Sequence, residues 1–216
     1  MKKQERINPH MAGLSNIECI REYCNYVEEH LVNVGKAWTI LQQAIGDDAI
    51  IKTDQTFWHI HRLIEEHDIS KLSISEFIPY AEWFFSQYGK NLGSIHRTPF
   101  FEREHKMRKA AFSYAWTHHQ ACNPHHWENW TKADEAFTGE NECHVVCMVV
   151  DWMAMGMKFG ESAEEYYQHE KENIDLPRWA VDFLEFIFLS LRDSTIHLTR
   201  RTNSLLSGNG KQEGTL

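Results

Sequence analysis

From Ser15 onward, apolar residues recur in steps of three and four, at Ile17, Ile20, Cys24, Val27, Leu31, Val34, Trp38, Leu41 and Ile45. Only a helix gathers such positions into one stripe, so this stretch predicts a long amphipathic α-helix. Ser15 with Glu18 forms a capping-box pattern at its start, and Gly46-Asp47-Asp48 supplies a stop.

The same period continues along the chain. Phe57, Ile60, Ile64 and His67 share one stripe of a second helix over about 54–67, which points His67 inward. "SKLSISEF" reads as a turn and a fresh helix start, with Ser73 and Glu76 as a cap, Pro79 early enough to be tolerated, and an end near Gly89. Thr98-Pro99 opens another helix, and Asn123-Pro124 closes it because proline disfavours helical geometry in the preceding residue. Helices follow over about 142–159, after the Ser162/Glu165 cap, and from "LPRWAVDFLEFIFLSL". No useful stretch alternates with period two, so the expected architecture is all-α with six or seven helices. The expected boundaries are an N-terminal arm at 1–14, one helical domain at 15–200 and a flexible C-terminal tail at 201–216.

Charge and cysteine content narrow the function classes. Thirty-one acidic against 22 basic side chains give a net charge of -9, which argues against general affinity for nucleic acid or anionic membrane. The start lacks an apolar signal segment and runs such as "VVCMVV" are too short to span a bilayer, so a cytoplasmic location is expected. Five cysteines without framework spacing imply reduced thiols. A structural zinc site from Cys122, His125, Cys143, His144 and Cys147 lacks the usual paired spacing.

The chemistry sits in polar residues at apolar positions. "AWTHHQACNPHHWENW" crowds His118, His119, His125 and His126 into one helix end and the turn after it. His67-Asp68 follows a helix, with Lys71 three residues on; His30 lies between Val27 and Val34, and Asp151 sits among Val149, Val150, Trp152 and Met153. Burying a lone carboxylate or imidazolium costs several kcal/mol, whereas a divalent cation offsets that cost and keeps the carboxylate ionised.

This order resembles the HD-domain superfamily of metal-dependent phosphohydrolases, whose ligands are a His, an adjacent His-Asp and a distant Asp. His30 matches the first histidine, His67 and Asp68 the doublet, Lys71 a frequent lysine, and Asp151 the last aspartate. "HDISKLSISEFIPYAEWFF", "AWTHHQACNPHHWENW" and "DWMAMGMKFG" look more closely like an uncharacterised bacterial and phage family, over roughly residues 25–170.

The resemblance implies an HD-like fold and one or two divalent cations per chain, whether Mn, Fe, Zn, Co, Ni or Mg. It implies hydrolysis of a phosphoester of a nucleotide or related small molecule by water activated on the metal. Asp68 and Lys71 are the expected catalytic residues. One of His118 or His119 and one of His125 or His126 would complete a second site, with His119 and His126 favoured; His118, His125, Asn123, Lys158 and Trp127 would orient ligands or touch substrate. Lys71 and Lys158 are candidates for phosphate oxygens, and Trp116, Trp127 or Trp130 for stacking a base. Two other readings accompany this one: a di-iron oxygenase on the same fold, and a non-catalytic ligand- or partner-binding protein with a structural metal. The expected partner is a small phosphoester, with no membrane and no general nucleic-acid binding, and self-association is left open.

Overall fold

A computed structural model gives the fold, describing residues 9–45, 54–90, 98–129 and 139–208, with side chains over 16–45, 55–90, 98–129 and 140–194. The described residues form seven α-helices and no strand. These are α1 (Pro9–Ile45), α2 (Asp54–Glu65), α3 (Phe77–Phe85), α4 (Pro99–Cys122), α5 (Gly139–Phe159), α6 (Ala163–Glu170) and α7 (Arg178–Gly208). The all-α expectation holds.

Local signals account for most helix ends. Thr98 Oγ1 accepts the Phe101 amide at 3.4 Å, Pro99 occupies the first turn of α4, and Asn123 leaves helical geometry just before Pro124. Ser162 and Glu165 make the reciprocal capping box of α6. Two starts differ from expectation. α1 begins at Pro9, so Ser15 and Glu18 lie inside the helix; proline suits a first helical position, and nothing in residues 10–14 breaks the turn. Ser73 Oγ has no hydrogen-bond partner and the start of α3 carries no side-chain cap, so the Ser73/Glu76 pattern is not a capping box. α7 runs past residue 200 to a glycine. Gly46-Asp47-Asp48 and Trp130 lie outside the described residues.

The chain divides into two units interleaved in sequence, Met1–Val32 with Glu66–Asn129, and Asn33–Glu65 with Trp130–Leu216. In the first unit, Tyr23, Val27, Tyr80, Ala81 and Ala115 form a buried core, with Tyr26, Phe77, Phe84, Phe85, Phe112 and Trp116 packed against it. Rings fix this packing: Tyr23 meets Phe77 edge-on at 5.2 Å and Trp83 stacks on Phe112 at 5.5 Å. These aromatics also set the phase of α1. Its inward residues are Cys19, Tyr23, Val27 and His30, whereas Ile17 is 55% exposed and Cys24 is exposed, contrary to the expected stripe. Burying the large Tyr23 ring outweighs burying the smaller Ile17 and Cys24 side chains.

In the second unit α2, α6 and α7 pack on α5. Cys143 and Val145–Val150 are all buried, the pattern of a helix covered nearly all round. No single helix among the described residues is long and apolar enough to cross a membrane.

Candidate metal centre

The turn after α2 bends sharply at Asp68, which has φ 57° and ψ 20° and is the one non-glycine with positive φ among the described residues. Aspartate tolerates this left-handed geometry better than most residues, at a cost, and such strain concentrates at functional sites. The turn feeds a single 3-10 segment, Ile69–Leu72, whose Lys71 amide donates to the Asp68 carbonyl at 2.9 Å.

Asp68 is buried, and both of its oxygens are surrounded by nitrogen. Oδ2 lies 3.0 Å from His30 Nε2 and 3.6 Å from His67 Nε2, and the Lys71 ammonium pairs with it. Oδ1 lies 3.2 Å from His119 Nε2 and 3.3 Å from His125 Nε2. Burial alone pushes the Asp68 carboxyl up, but the charges of Lys71 and His67 beside it hold it well below the usual carboxylate range.

His119 is fully buried because Ala115, His119 and Asn123 recur every four residues on the inward face of α4. Its neighbour His118 is half-exposed. The turn after Pro124 brings in the other two rings. His125 stacks on His67 at 4.2 Å, and His126 stands 4.7 Å from His119 and 5.4 Å from Trp116. Asp68, His119, His125 and His126 each offer one ligand atom, all within 4.8 Å of one another.

Beneath these rings sits a carboxylate that sequence reasoning took for a cap. Glu76 is completely buried. Its Oε2 accepts from His119 Nδ1 at 2.9 Å and from Ser70 Oγ at 3.1 Å, and its Oε1 accepts from His118 Nδ1 at 2.7 Å. Asn123 Nδ2 donates to Ser70 Oγ at 2.8 Å and to the His119 carbonyl at 2.7 Å. The available signal was register: Glu76 lies one turn before buried Tyr80, on the stripe that faces the core.

The donor set fits a divalent cation. In the neutral ring, an Nδ1 proton directed at Glu76 leaves the lone pair on Nε2, which faces Asp68 Oδ1 at 3.2 Å. Neither atom has a hydrogen-bond partner, although both are buried. Two lone-pair donors in close approach inside a protein are stabilised by a cation between them. Carboxylate–histidine–metal chains are a common way to orient such a ligand.

The remaining expected site residues fall as follows. His125 stands with the ligand atoms rather than behind them, alongside His126. Asn123 bonds to Ser70 Oγ and to the His119 carbonyl, and His118 is held by Glu76. Lys71 is buried on Asp68 instead of presenting its ammonium to solvent. Trp127 occupies a 3-10 turn, Trp127–Asn129, half-buried. Trp116 stacks on His119 at 5.8 Å, as a wall of the cluster. Asp151 and Lys158 are carried by α5 in the second unit, both half-buried. No candidate ligand group among the described residues contains cysteine. His105 Nδ1 donates to the Tyr88 and Gly89 carbonyls, a structural role.

A family model described as "Family of unknown function (DUF5662)" matches residues 19–189. No curated protein and no solved structure matches the chain.

Proposed function

The chain belongs to the DUF5662 family, and from the geometry of its buried cluster we propose that it is a metal-dependent phosphohydrolase acting on a nucleotide or related small phosphoester. The observation that carries this reading is one buried carboxylate, Asp68, with His30 and His67 on one oxygen and His119 and His125 on the other. That is the donor set expected where one carboxylate serves up to two cations.

When bound, a divalent cation supplies Lewis acidity toward a phosphoryl oxygen and lowers the pKa of its water. The chain supplies the rest. Asp68 contributes the charge, and the imidazoles contribute neutral nitrogen donors that accept Mn, Fe, Co, Ni or Zn. Glu76 holds the proton on His119 Nδ1, which keeps Nε2 available. Lys71 balances Asp68 and, on this reading, turns to a phosphate oxygen when a cation takes over that balance. His118 lies at the half-exposed edge, with Nδ1 against Glu76, and on this reading exchanges a proton with a leaving group through Nε2.

Purified protein loaded separately with Mn, Zn, Co, Ni, Fe or Mg, and offered nucleotides, sugar phosphates and phosphonates, tests the proposal. Phosphate release that Asp68→Asn abolishes is expected. Inertness of every metal form toward the whole panel sinks it, and oxygen consumption by an iron-loaded sample without phosphate release transfers the site to oxygenase chemistry.

A further inference from the structure

We infer that Glu76 is a positioning residue that sets the tautomer of two histidines at once, giving His119 an Nε2 lone pair for the cation and His118 an Nε2 lone pair at the open edge. The cation half of this statement rests on the metal-centre reading above. The tautomer half stands on the hydrogen-bond network alone.

The network closes by counting protons. Asn123 Nδ2 lies 2.8 Å from Ser70 Oγ, 2.7 Å from the His119 carbonyl and 3.0 Å from His119 Nδ1, and its two protons go to the two oxygens, the shorter contacts. Ser70 Oγ, receiving one, stands 3.1 Å from Glu76 Oε2 and 3.0 Å from His119 Nδ1; its single proton goes to the carboxylate, the stronger acceptor, and the Nδ1 proton is shared between Oε2 and Oγ. A carboxylate offers only acceptors, so the two ring nitrogens that meet it, at 2.7 and 2.9 Å, must each bring a proton. An unprotonated Nδ1 on either ring would set lone pair against lone pair beside a fully buried oxygen, which is costly. Free imidazole in a histidine side chain favours the proton on Nε2. Glu76 reverses that preference in both rings.

The two rings then do different work because α4 turns them to different environments. His119 is buried with Nε2 on Asp68, whereas His118 is 31% exposed at its side chain and has exposed Cys122 Sγ 3.8 Å from its ring nitrogens. A single carboxylate thus fixes one ligand and one proton acceptor in the same register.

Glu76→Gln separates this from a merely structural carboxylate, because an amide of the same size offers one acceptor and one donor and cannot satisfy both rings. The readout is the long-range 1H–15N spectrum of histidine-labelled, cation-free protein at pH 8, where neutral tautomers are resolved. In the native chain, both His118 and His119 are expected as the Nδ1–H form. In Glu76→Gln, at least one is expected to switch to Nε2–H. Finding either ring as Nε2–H in the native chain, or both unchanged in the variant, overturns the assignment. For the cation half, zinc affinity measured by chelator competition should fall 10- to 100-fold in Glu76→Ala. Native affinity in a folded Glu76→Ala protein overturns that half; if this variant does not fold, the same competition on Glu76→Gln decides, with a His119 switch and unchanged affinity as the overturning pair. Failure of the phosphoester panel removes the proposed activity and leaves the tautomer result in place.

Discussion

His119 uses its two ring nitrogens on two different carboxylates: Nδ1 lies 2.9 Å from Glu76 Oε2, and Nε2 lies 3.2 Å from Asp68 Oδ1. The first contact is a hydrogen bond, and the second joins two groups that each have a lone pair to give. A bound cation, held by these two groups, would relieve that repulsion. His119→Ala and Asp68→Asn are therefore each expected to weaken binding of zinc or manganese at least 100-fold, measured by calorimetric titration of chelator-treated protein. Undiminished stoichiometry in both variants would remove the metal centre altogether.

Lys71, paired with Asp68 Oδ2, and a bound cation would balance the charge of the same carboxylate. Replacing the lysine by methionine keeps the stem and removes the ammonium, so the buried carboxylate loses its balancing charge. Cation-free Lys71→Met should be less stable than the native chain by about 3–5 kcal/mol, the usual cost of leaving a buried charge alone. Added zinc should restore most of that loss, because a ligand that binds only the folded state stabilises it by mass action. Thermal unfolding with and without chelator measures both effects.

The contrast between what could and could not be read from the chain follows interaction range. The bounds of α4 were legible because Thr98, Pro99 and Asn123-Pro124 act on their own turn. The inward direction of His67 followed from its phase with Ile60 and Ile64, all three of which are buried. Which of His118 and His119 turns inward was not legible, since apolar residues flank both; His119 is buried because it follows buried Ala115 by one turn of α4, while Glu76, more than forty residues away, bonds both rings. Glu76 itself was misread because Ser-x-x-Glu satisfies a local capping pattern that the tertiary structure overrides. The phase of α1 slipped for a similar reason, as Tyr23 and Tyr26 are drawn to the rings of α3.

Stability at low pH should depend on Asp68. Its folded-state carboxyl is held well below the ordinary value of 3.8, so it contributes stability that is fully present above that value and is lost as pH falls toward the folded one. The urea midpoint of cation-free native protein should thus drop more steeply below about pH 4 than that of Asp68→Asn. Parallel pH profiles for the two proteins contradict the depressed carboxyl.

The five thiols should divide by burial. Cys24 and Cys122 are exposed, whereas Cys19, Cys143 and Cys147 are buried. Burial pushes the Cys143 thiol up to about 11 and the Cys147 thiol up as well, so very little thiolate exists there at pH 8. A disulfide reagent should label two thiols quickly in the folded protein and all five after denaturation. Rapid labelling of Cys143 or Cys147, located by peptide mapping, contradicts the packing of α5.

Gly156 tests the end of α5 independently of the metal centre. A Cβ placed there would stand 2.0 Å from the Glu161 carbonyl, so no side chain fits while the 160–162 loop keeps its place. Gly160, at φ 83°, turns the chain back and donates its amide to the Gly156 carbonyl at 2.8 Å. Gly156→Ala must push the loop away, an overpacking cost of about 1–3 kcal/mol that the better helix propensity of alanine only partly offsets. The melting temperature should fall by roughly 2–12 °C. Faster amide exchange should be confined to the end of α5 and the start of α6, while the Nδ1–H signature of His119 stays as in the native chain. An unchanged melting temperature would mean that the loop does not rest on Gly156.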